Sequence, residues 1–217
     1  MSTKVLLPAA GYGTRVKAKS ASGKELLIDP VTNKPLIDWA TRKAWNADME
    51  CLVISRSDKT DLNEYIGTGC YHAKLLTLEP EKLNEWPDTI LAAKDEWADL
   101  NIMVLPDTRF FSPEVVLRQM EQSLMMLEAS FAVFTVEDSE QSKFAMFDGK
   151  HIAEKPTEAV PGALAIGLIA FRKEVGEQLF TALSNKNNWH ELKCWTGISV
   201  NLPWFKDITR GGSIESY

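Results

Sequence analysis

Short apolar runs alternate along this chain with longer stretches in which apolar residues recur every three or four positions. Lys4-Val5-Leu6-Leu7, closed by Pro8 and a glycine-containing turn, reads as a buried parallel strand that ends at a loop. Asn33-Lys34-Pro35 followed by Leu36, Ile37, Trp39, Ala40 and Ala44 places a cap, a first-turn proline and a helical stripe in order, which predicts a helix over 35–46. Apolar runs at 51–54, 75–78 and 102–105 read as strands, and 89–97 and 112–127 as helices. In the last of these, Ser112 is expected to cap, Pro113 to fit the first turn, and Val115, Val116, Met120, Leu124 and Leu127 to form the apolar stripe.

Strand and helix alternate over the first 130 residues or so, the pattern of a mostly parallel sheet covered on both faces, with ligands at the strands' C-terminal ends. From Ser130 the order is less regular: strands at 131–136, 144–147 and 164–171 and a helix at 174–183 read as an α+β extension of the same domain. The expected fold is therefore α/β: a single domain over 1–217 with a mostly parallel, Rossmann-like mixed sheet and helices on both faces. No internal repeat, low-complexity tract or Pro/Gly-rich linker interrupts it.

Composition narrows the partners. Hydrophobic residues make up 45% of the 217 and charged residues 25%, the balance of a globular protein with a sizeable core. A net charge of -6, from 24 Lys plus Arg against 30 Asp plus Glu, argues against nucleic acid, which needs a broad basic surface. A small polyanion remains compatible, because a few clustered cations set the local field. Cys51, Cys70 and Cys194 stand at unrelated spacings with no C-x-x-C pair, as thiols of a reducing compartment do. The N-terminal apolar run, Val5 to Leu7, stops at Pro8 and suits neither a signal peptide nor a membrane span. A cytoplasmic protein with no membrane partner is expected; the oligomeric state is not legible.

The chemistry begins after the first strand. In Pro8-Ala9-Ala10-Gly11-Tyr12-Gly13-Thr14-Arg15, two glycines allow close backbone approach to a ligand and turn N–H groups towards phosphate oxygens. Arg15 adds a planar cationic fork that matches phosphate. Val16 stands where a dinucleotide fingerprint has its third glycine, and no P-loop Lys-Ser/Thr follows, so on these residues alone a structural turn reads equally well. Gly23-Lys24-Glu25-Leu26-Leu27 and Lys34-Pro35-Leu36-Ile37 then follow in order. With these three blocks the sequence resembles the sugar nucleotidyltransferase (nucleoside-diphosphate-sugar pyrophosphorylase) family. Its N-terminal phrase is most similar to the bacterial glucose-1-phosphate uridylyltransferase branch.

The resemblance implies an enzyme that joins a sugar 1-phosphate to a nucleoside triphosphate, UTP or dTTP favoured, and releases pyrophosphate with Mg2+ as cofactor. It implies a nucleotide site of Leu7, Ala9, Ala10, Gly11, Tyr12, Gly13, Thr14, Arg15, Lys24 and Asp88. Arg15 would neutralise the β and γ phosphates, and Lys24 would bridge phosphates near the reacting centre. Asp107, after the apolar run Ile102 to Leu105, matches the family's Mg2+-binding aspartate, although Pro106 replaces the usual preceding glycine. Glu154-Lys155-Pro156 and the later Gly167 resemble the family's acceptor phrase, which gives Glu154 a sugar hydroxyl and Lys155 the acceptor phosphate. Asp207 in Trp204-Phe205-Lys206-Asp207-Ile208-Thr209 matches the second metal aspartate, without the glycine that normally follows. Arg15, Lys24 and Lys155 are thus the expected catalytic cations, Asp107, Glu154, Lys155 and Gly167 the acceptor residues, and Asp107 and Asp207 the metal ligands.

Other readings stand beside these. Asp107 suits a plain turn, Glu154-Lys155 a solvated pair before a proline, and Trp189, Trp195 and Trp204 either a ligand pocket or the closing of a core edge. The base-selecting segment, Glu79 to Thr89, lacks the family's glutamine and glycine, which leaves the base unassigned. Short length and late tryptophans also suit a cytidylyltransferase for phosphocholine or a polyol phosphate. The departures around Asp107 and Asp207 equally suit a non-catalytic, nucleotide-binding regulatory homologue. The sequence ends soon after Asp207, and the expectation is a compact single domain without the additional C-terminal domain that some relatives carry.

Overall fold

A computed structural model describes residues 1–11, 24–29, 32–69, 72–83, 85–110, 112–185, 189–191, 199–201 and 206–207, with backbone alone at 82, 199–201 and 206–207. In chain order the elements are β1 (Thr3–Pro8), β2 (Ile28–Asp29), β3 (Lys34–Pro35), α1 (Leu36–Asn46), β4 (Glu50–Arg56), α2 (Thr60–Gly69) and β5 (Ala73–Leu78). There follow α3 (Trp86–Ala92), β6 (Leu100–Val104), β7 (Thr108–Arg109), α4 (Pro113–Ser123), β8 (Ala129–Phe134), β9 (Ala145–Phe147) and β10 (His151–Glu154). Then come β11 (Leu164–Arg172), α5 (Lys173–Ser184), β12 (His190–Glu191), β13 (Ser199–Asn201) and β14 (Lys206–Asp207).

The first half of the chain builds a parallel block in the order β6-β1-β4-β5. In β1 alternate side chains leave opposite faces of the sheet, and both faces are covered. Val5 and Leu7 join one buried cluster with Ile37 and Ala40 of α1, Leu62 of α2, and Val116 and Met120 of α4. Leu6 joins another with Ile90 of α3 and Leu179 and Phe180 of α5. This two-sided burial is why the strand reads as a continuous apolar run, and it bears out the expected α/β class with helices on both faces.

The second half adds antiparallel strands. β11 runs antiparallel to β6, pairing Leu168 with Val104 and Arg172 with Leu100, and β8 lies along its other side. The first residues of β11 pair with β9, and β9 with β10, so a small sub-sheet continues past the end of β6. The β11–β8 register shifts between Ile166 and Leu168, which leaves Gly167 in a bulge beside the last residue of β6.

Several local expectations are corrected. The expected strands at 131–136 and 144–147 lie at 129–134 and 145–147. Helix α2, absent from the periodicity reading, offers only one short apolar group, Leu62, Tyr65 and Ile66, and ends among glycines. The helix expected at 89–97 is α3, ending at Ala92, followed by a 3-10 turn at Lys94–Glu96. Ser112 takes a left-handed conformation (φ 45°, ψ 52°) and makes no capping bond. In α4 the buried positions are Val116, Leu117 and Met120, while Val115 is exposed. Asn33 turns the β2–β3 hairpin with φ 52°, and Pro35 takes the cap position of α1.

Gly176 in α5 shows how closely the second cluster is packed. A Cβ there would lie 2.5 Å from the Trp97 ring and 2.6 Å from Phe171. Those rings are held edge-on to one another (5.1 Å, 78°), and Phe171 edge-on to Phe180 (4.9 Å, 76°). Alanine ordinarily stabilises a helix interior by about 1 kcal/mol over glycine, but overpacking a close-packed core costs roughly 1–3 kcal/mol. Gly176→Ala is therefore expected to lower the midpoint of chemical denaturation; an unchanged or raised midpoint would show that the rings yield.

Candidate active site

The C-terminal ends of β1 and β6 open onto one place. After β1, Ala9 and Ala10 are buried and the Ala9 N–H donates to the Ile54 carbonyl at 2.8 Å. A side chain at Gly11 would meet nothing within 4 Å among the described residues. Leu7 is buried in the first core cluster and supports the loop from beneath. Tyr12, Gly13, Thr14 and Arg15 lie outside the described residues.

Lys24 begins a 3-10 turn, Lys24–Leu26, and its Nζ donates to Asp107 Oδ2 at 2.6 Å. Asp107 is itself buried, just beyond β6. The turn that carries it is closed by the Thr108 N–H donating to the Leu105 carbonyl at 3.1 Å. This puts Pro106 at the second position of a four-residue turn, where its fixed φ is favourable. The proline that replaces the family's glycine thus fits the turn that presents the carboxylate. Immediately after it, β7 pairs antiparallel with β14, setting Asp207 opposite Thr108. The Asp207 backbone therefore lies opposite the residue next to Asp107; the Asp207 side chain lies outside the described atoms. Arg109 of β7 also forms an ion pair with the fully buried Asp29 of the β2–β3 hairpin, which tethers the stretch after Lys24 to the same edge.

The acceptor phrase ends β10. Glu154 is 2% exposed; its Oε1 lies 3.2 Å from Lys155 Nζ, and its Oε2 has no hydrogen-bond partner among the described residues. Burial pushes this carboxyl above the usual range, opposed by the Lys155 charge and by the Trp86 side chain. Lys155 adopts φ 51°, a left-handed conformation that non-glycine residues rarely take. Its N–H donates to the Phe144 carbonyl at 2.9 Å, and its Nζ also lies 3.3 Å from Glu85 Oε2. Glu85 is the N-cap of α3: its side chain accepts the Asp88 N–H, and Asp88 Oδ2 accepts the Glu85 N–H at 3.1 Å. Asp88 Oδ1 receives the Ser184 hydroxyl at 2.8 Å, so one oxygen of this expected nucleotide residue caps α3 and the other ties α3 to α5. Phe134 to Glu140 and Phe144 line an open cavity of about 840 Å³, with the Phe134 and Phe144 rings edge-on at 5.4 Å. Trp189 is half-buried and packs against the Met146 cluster, as a core-closing tryptophan does; Trp195 and Trp204 lie outside the described residues.

One pair was missed by the sequence reading. Lys59 is 2% exposed, and its Nζ donates to the Ala9 carbonyl at 2.5 Å and to Glu25 Oε2 at 2.9 Å; Glu25 is fully buried. Burial pulls the Lys59 ammonium below its usual pKa, while Glu25 pushes it back. A lysine ahead of Thr60-Asp61 looks like an ordinary solvated charge, and no spacing in the sequence links it to Glu25.

Comparison with known proteins follows the same lines. Residues 4–193 match the model of the Nucleotidyl transferase family. Two UTP–glucose-1-phosphate uridylyltransferases from Pseudomonas aeruginosa are 43% and 42% identical over 67 residues, which is 30% of this chain and 23% of each relative's length. Among solved structures, a Bacillus anthracis protein assigned as a glucose-1-phosphate thymidylyltransferase, in complex with a sucrose, superposes with a TM-score of 0.75 at 19% identity, over 96% of this chain and 90% of that one. A UTP-bound UGPase from Acinetobacter baumannii gives 0.69 at 18% identity, over 96% and 89%. At such identities the structural likeness speaks for the fold. The family's model spans nearly the whole chain, and the chain belongs to the nucleotidyl transferase family.

Proposed function

We propose that this chain transfers a nucleotidyl group from a nucleoside triphosphate, UTP or dTTP favoured, to a sugar 1-phosphate and releases pyrophosphate. The observation that carries the proposal is the 2.6 Å contact between Lys24 and Asp107. It joins the KELL turn after the glycine loop to the aspartate beyond β6, so that cation and carboxylate meet where an α/β sheet binds phosphates. The relatives named above act on, or bind, ligands of this class, which supports the reading.

In this reading the backbone from Ala9 to Gly11 and the Tyr12–Arg15 segment receive the triphosphate, with Lys24 and Arg15 offsetting its charge. Glu154 accepts from a hydroxyl of the acceptor through its unpartnered oxygen, and Lys155 holds the acceptor's phosphate. An acceptor phosphate oxygen attacks the α-phosphorus; a new P–O bond forms, and the bond to the β-phosphate oxygen breaks as pyrophosphate leaves. The attacking oxygen is already anionic, so positioning and charge stabilisation suffice. Lys155 supports this role through its backbone. A left-handed non-glycine residue costs on the order of 1–3 kcal/mol, and here it brings the ammonium between Glu154 and Glu85.

The donors fit Mg2+. No three His, Cys, Asp or Glu side chains gather into a cage among the described residues, and Mg2+ takes one or two carboxylates with phosphate oxygens and water. Asp107 and Asp207 would hold it, and it would supply charge stabilisation at the phosphates. The buried thiol of Cys51 suits the reducing compartment of the proposed cytoplasmic location; among the described residues no helix is long and apolar enough to cross a membrane.

A second reading draws on the open cavity. Two edge-on phenylalanines with Glu137, Asp138 and Glu140 on the rim suit a cationic head group, as in a cytidylyltransferase for phosphocholine.

The test is Mg2+-dependent pyrophosphate release from UTP, dTTP, CTP, GTP and ATP against sugar 1-phosphates, phosphocholine and polyol phosphates. Turnover with a sugar 1-phosphate supports the first reading and turnover with CTP and phosphocholine the second, while nucleotide binding without turnover would make the chain a regulatory homologue. Asp107→Asn is expected to lower turnover by about a hundredfold or more with the fold retained by circular dichroism; full activity would remove Asp107 from the site. Glu154 gives a pH test. Its carboxyl pKa is raised on folding, so the native state binds its proton more tightly, and stability is lost as pH rises through the raised value. Glu154→Gln should therefore melt above the wild type at pH 8, by roughly 2–4 °C, with the gap closing as pH falls, while its KM for the acceptor rises. A pH-independent gap would contradict this account of Glu154.

A further inference from the structure

Gly11 and Lys24 stand at the two ends of the stretch 12–23 in the sequence, and one buried ammonium touches the chain beside both of them. Lys59 donates to the carbonyl of Ala9 and to the carboxylate of Glu25. The first belongs to the backbone that opens the glycine loop, and the second to the residue beside Lys24. Ala9 also gives its N–H to Ile54 of β4, so both of its backbone groups are committed. Lys59 is itself fixed: its N–H donates to the Arg56 carbonyl at 3.1 Å, and its own carbonyl receives the Asn63 N–H at 2.9 Å. Arg56 is clamped by two bonds to Asp58, at 2.8 and 3.0 Å, and its carbonyl also receives the Asn63 side-chain amide at 2.8 Å. The ammonium thus projects from a rigid turn ahead of α2, behind the candidate site and out of reach of a substrate.

We infer that Lys59 is a positioning residue for nucleotide binding: it sets the spacing between the two anchor points of the glycine loop and, through Glu25, the place of Lys24. This rests on the proposed role of the loop and of Lys24. A core ion pair that merely filled space would need no bond to the loop's backbone. It would also need no carboxylate beside Lys24, whose ammonium reaches Asp107. Buried charge is costly to keep, and apolar residues of similar volume would close a core as well. What an apolar side chain does not supply is a fixed donor to a carbonyl at one end of the loop and a fixed partner for Glu25 at the other.

The test compares Lys59→Met with the wild type by amide hydrogen exchange and by steady-state kinetics. Exchange at Ala10, Gly11 and Lys24 to Leu27 is expected to quicken about tenfold or more, with β11 and α5 within about twofold. KM for the nucleotide should rise about tenfold, with KM for the acceptor changed less than about threefold. Should Lys59→Met not fold, Glu25→Gln, which keeps size and shape while weakening the pair, is read by the same measurements. Exchange that quickens evenly across the sheet, or nucleotide and acceptor KM values that move together, would reduce Lys59 to a structural residue and overturn the inference. The exchange measurement needs no ligand: a wild type that binds no nucleotide would sink the proposed function, while the exchange pattern would still decide whether Lys59 holds the loop.

Discussion

The two-sided burial of β1 is the constraint on which the rest depends. With Val5 and Leu7 packed under α1, α2 and α4, and Leu6 under α3 and α5, both faces of β1 are covered. Only the strand ends remain. Parallel pairing of β1 with β4 and β6 carries those ends to one rim, and every helix that covers the sheet delivers its preceding loop there or to the opposite rim. The glycine loop, the Lys24 turn and Asp107 are neighbours in space because of this arrangement, although 83 positions separate Lys24 from Asp107.

The antiparallel half meets that rim from the other direction. By running against β6 and continuing past its end to pair with β9, β11 extends the sheet into a small sub-sheet of β9, β10 and β12, in which β10 ends at Glu154. The bulge at Gly167 falls where that extension begins. Two buried charged groups stand in unfavourable settings: Glu154 at the end of β10, with one oxygen unpartnered among the described residues, and Lys59 behind the candidate site, its pKa pulled down by burial while Glu25 holds it. Buried charged groups that cost stability are what the preorganised polar site of the proposed function would require.

The legible parts of this fold were those with strong periodicity or turn chemistry. The run of β1, the proline start and apolar stripe of α1, and the run of β6 ending at Asp107 all register in one dimension. Helix α2 did not, because one turn of apolar residues followed by glycines resembles a loop. Ser112 and Asn33 carried the right residue types for caps, but tertiary context placed both in left-handed turns. Of the site, motif spacing brought out Gly11, Lys24, Asp107, Glu154 and Lys155. Lys59 and Glu85 were silent because their meaning lies in partners 34 and 70 positions away. Asp88 was noticed for its segment, while the structure commits both of its oxygens to holding α3.

The most direct measurement of the central claim, that Lys24, Asp107 and Asp207 surround one metal–phosphate site, is NMR of the labelled protein with Mn2+ and a non-hydrolysable nucleoside triphosphate. Paramagnetic broadening falls steeply with distance from the ion. The account predicts that the amides of Lys24, Thr108 and Asp207 broaden together while those of α5 stay sharp. Broadening centred elsewhere, or none when nucleotide is bound, would contradict it.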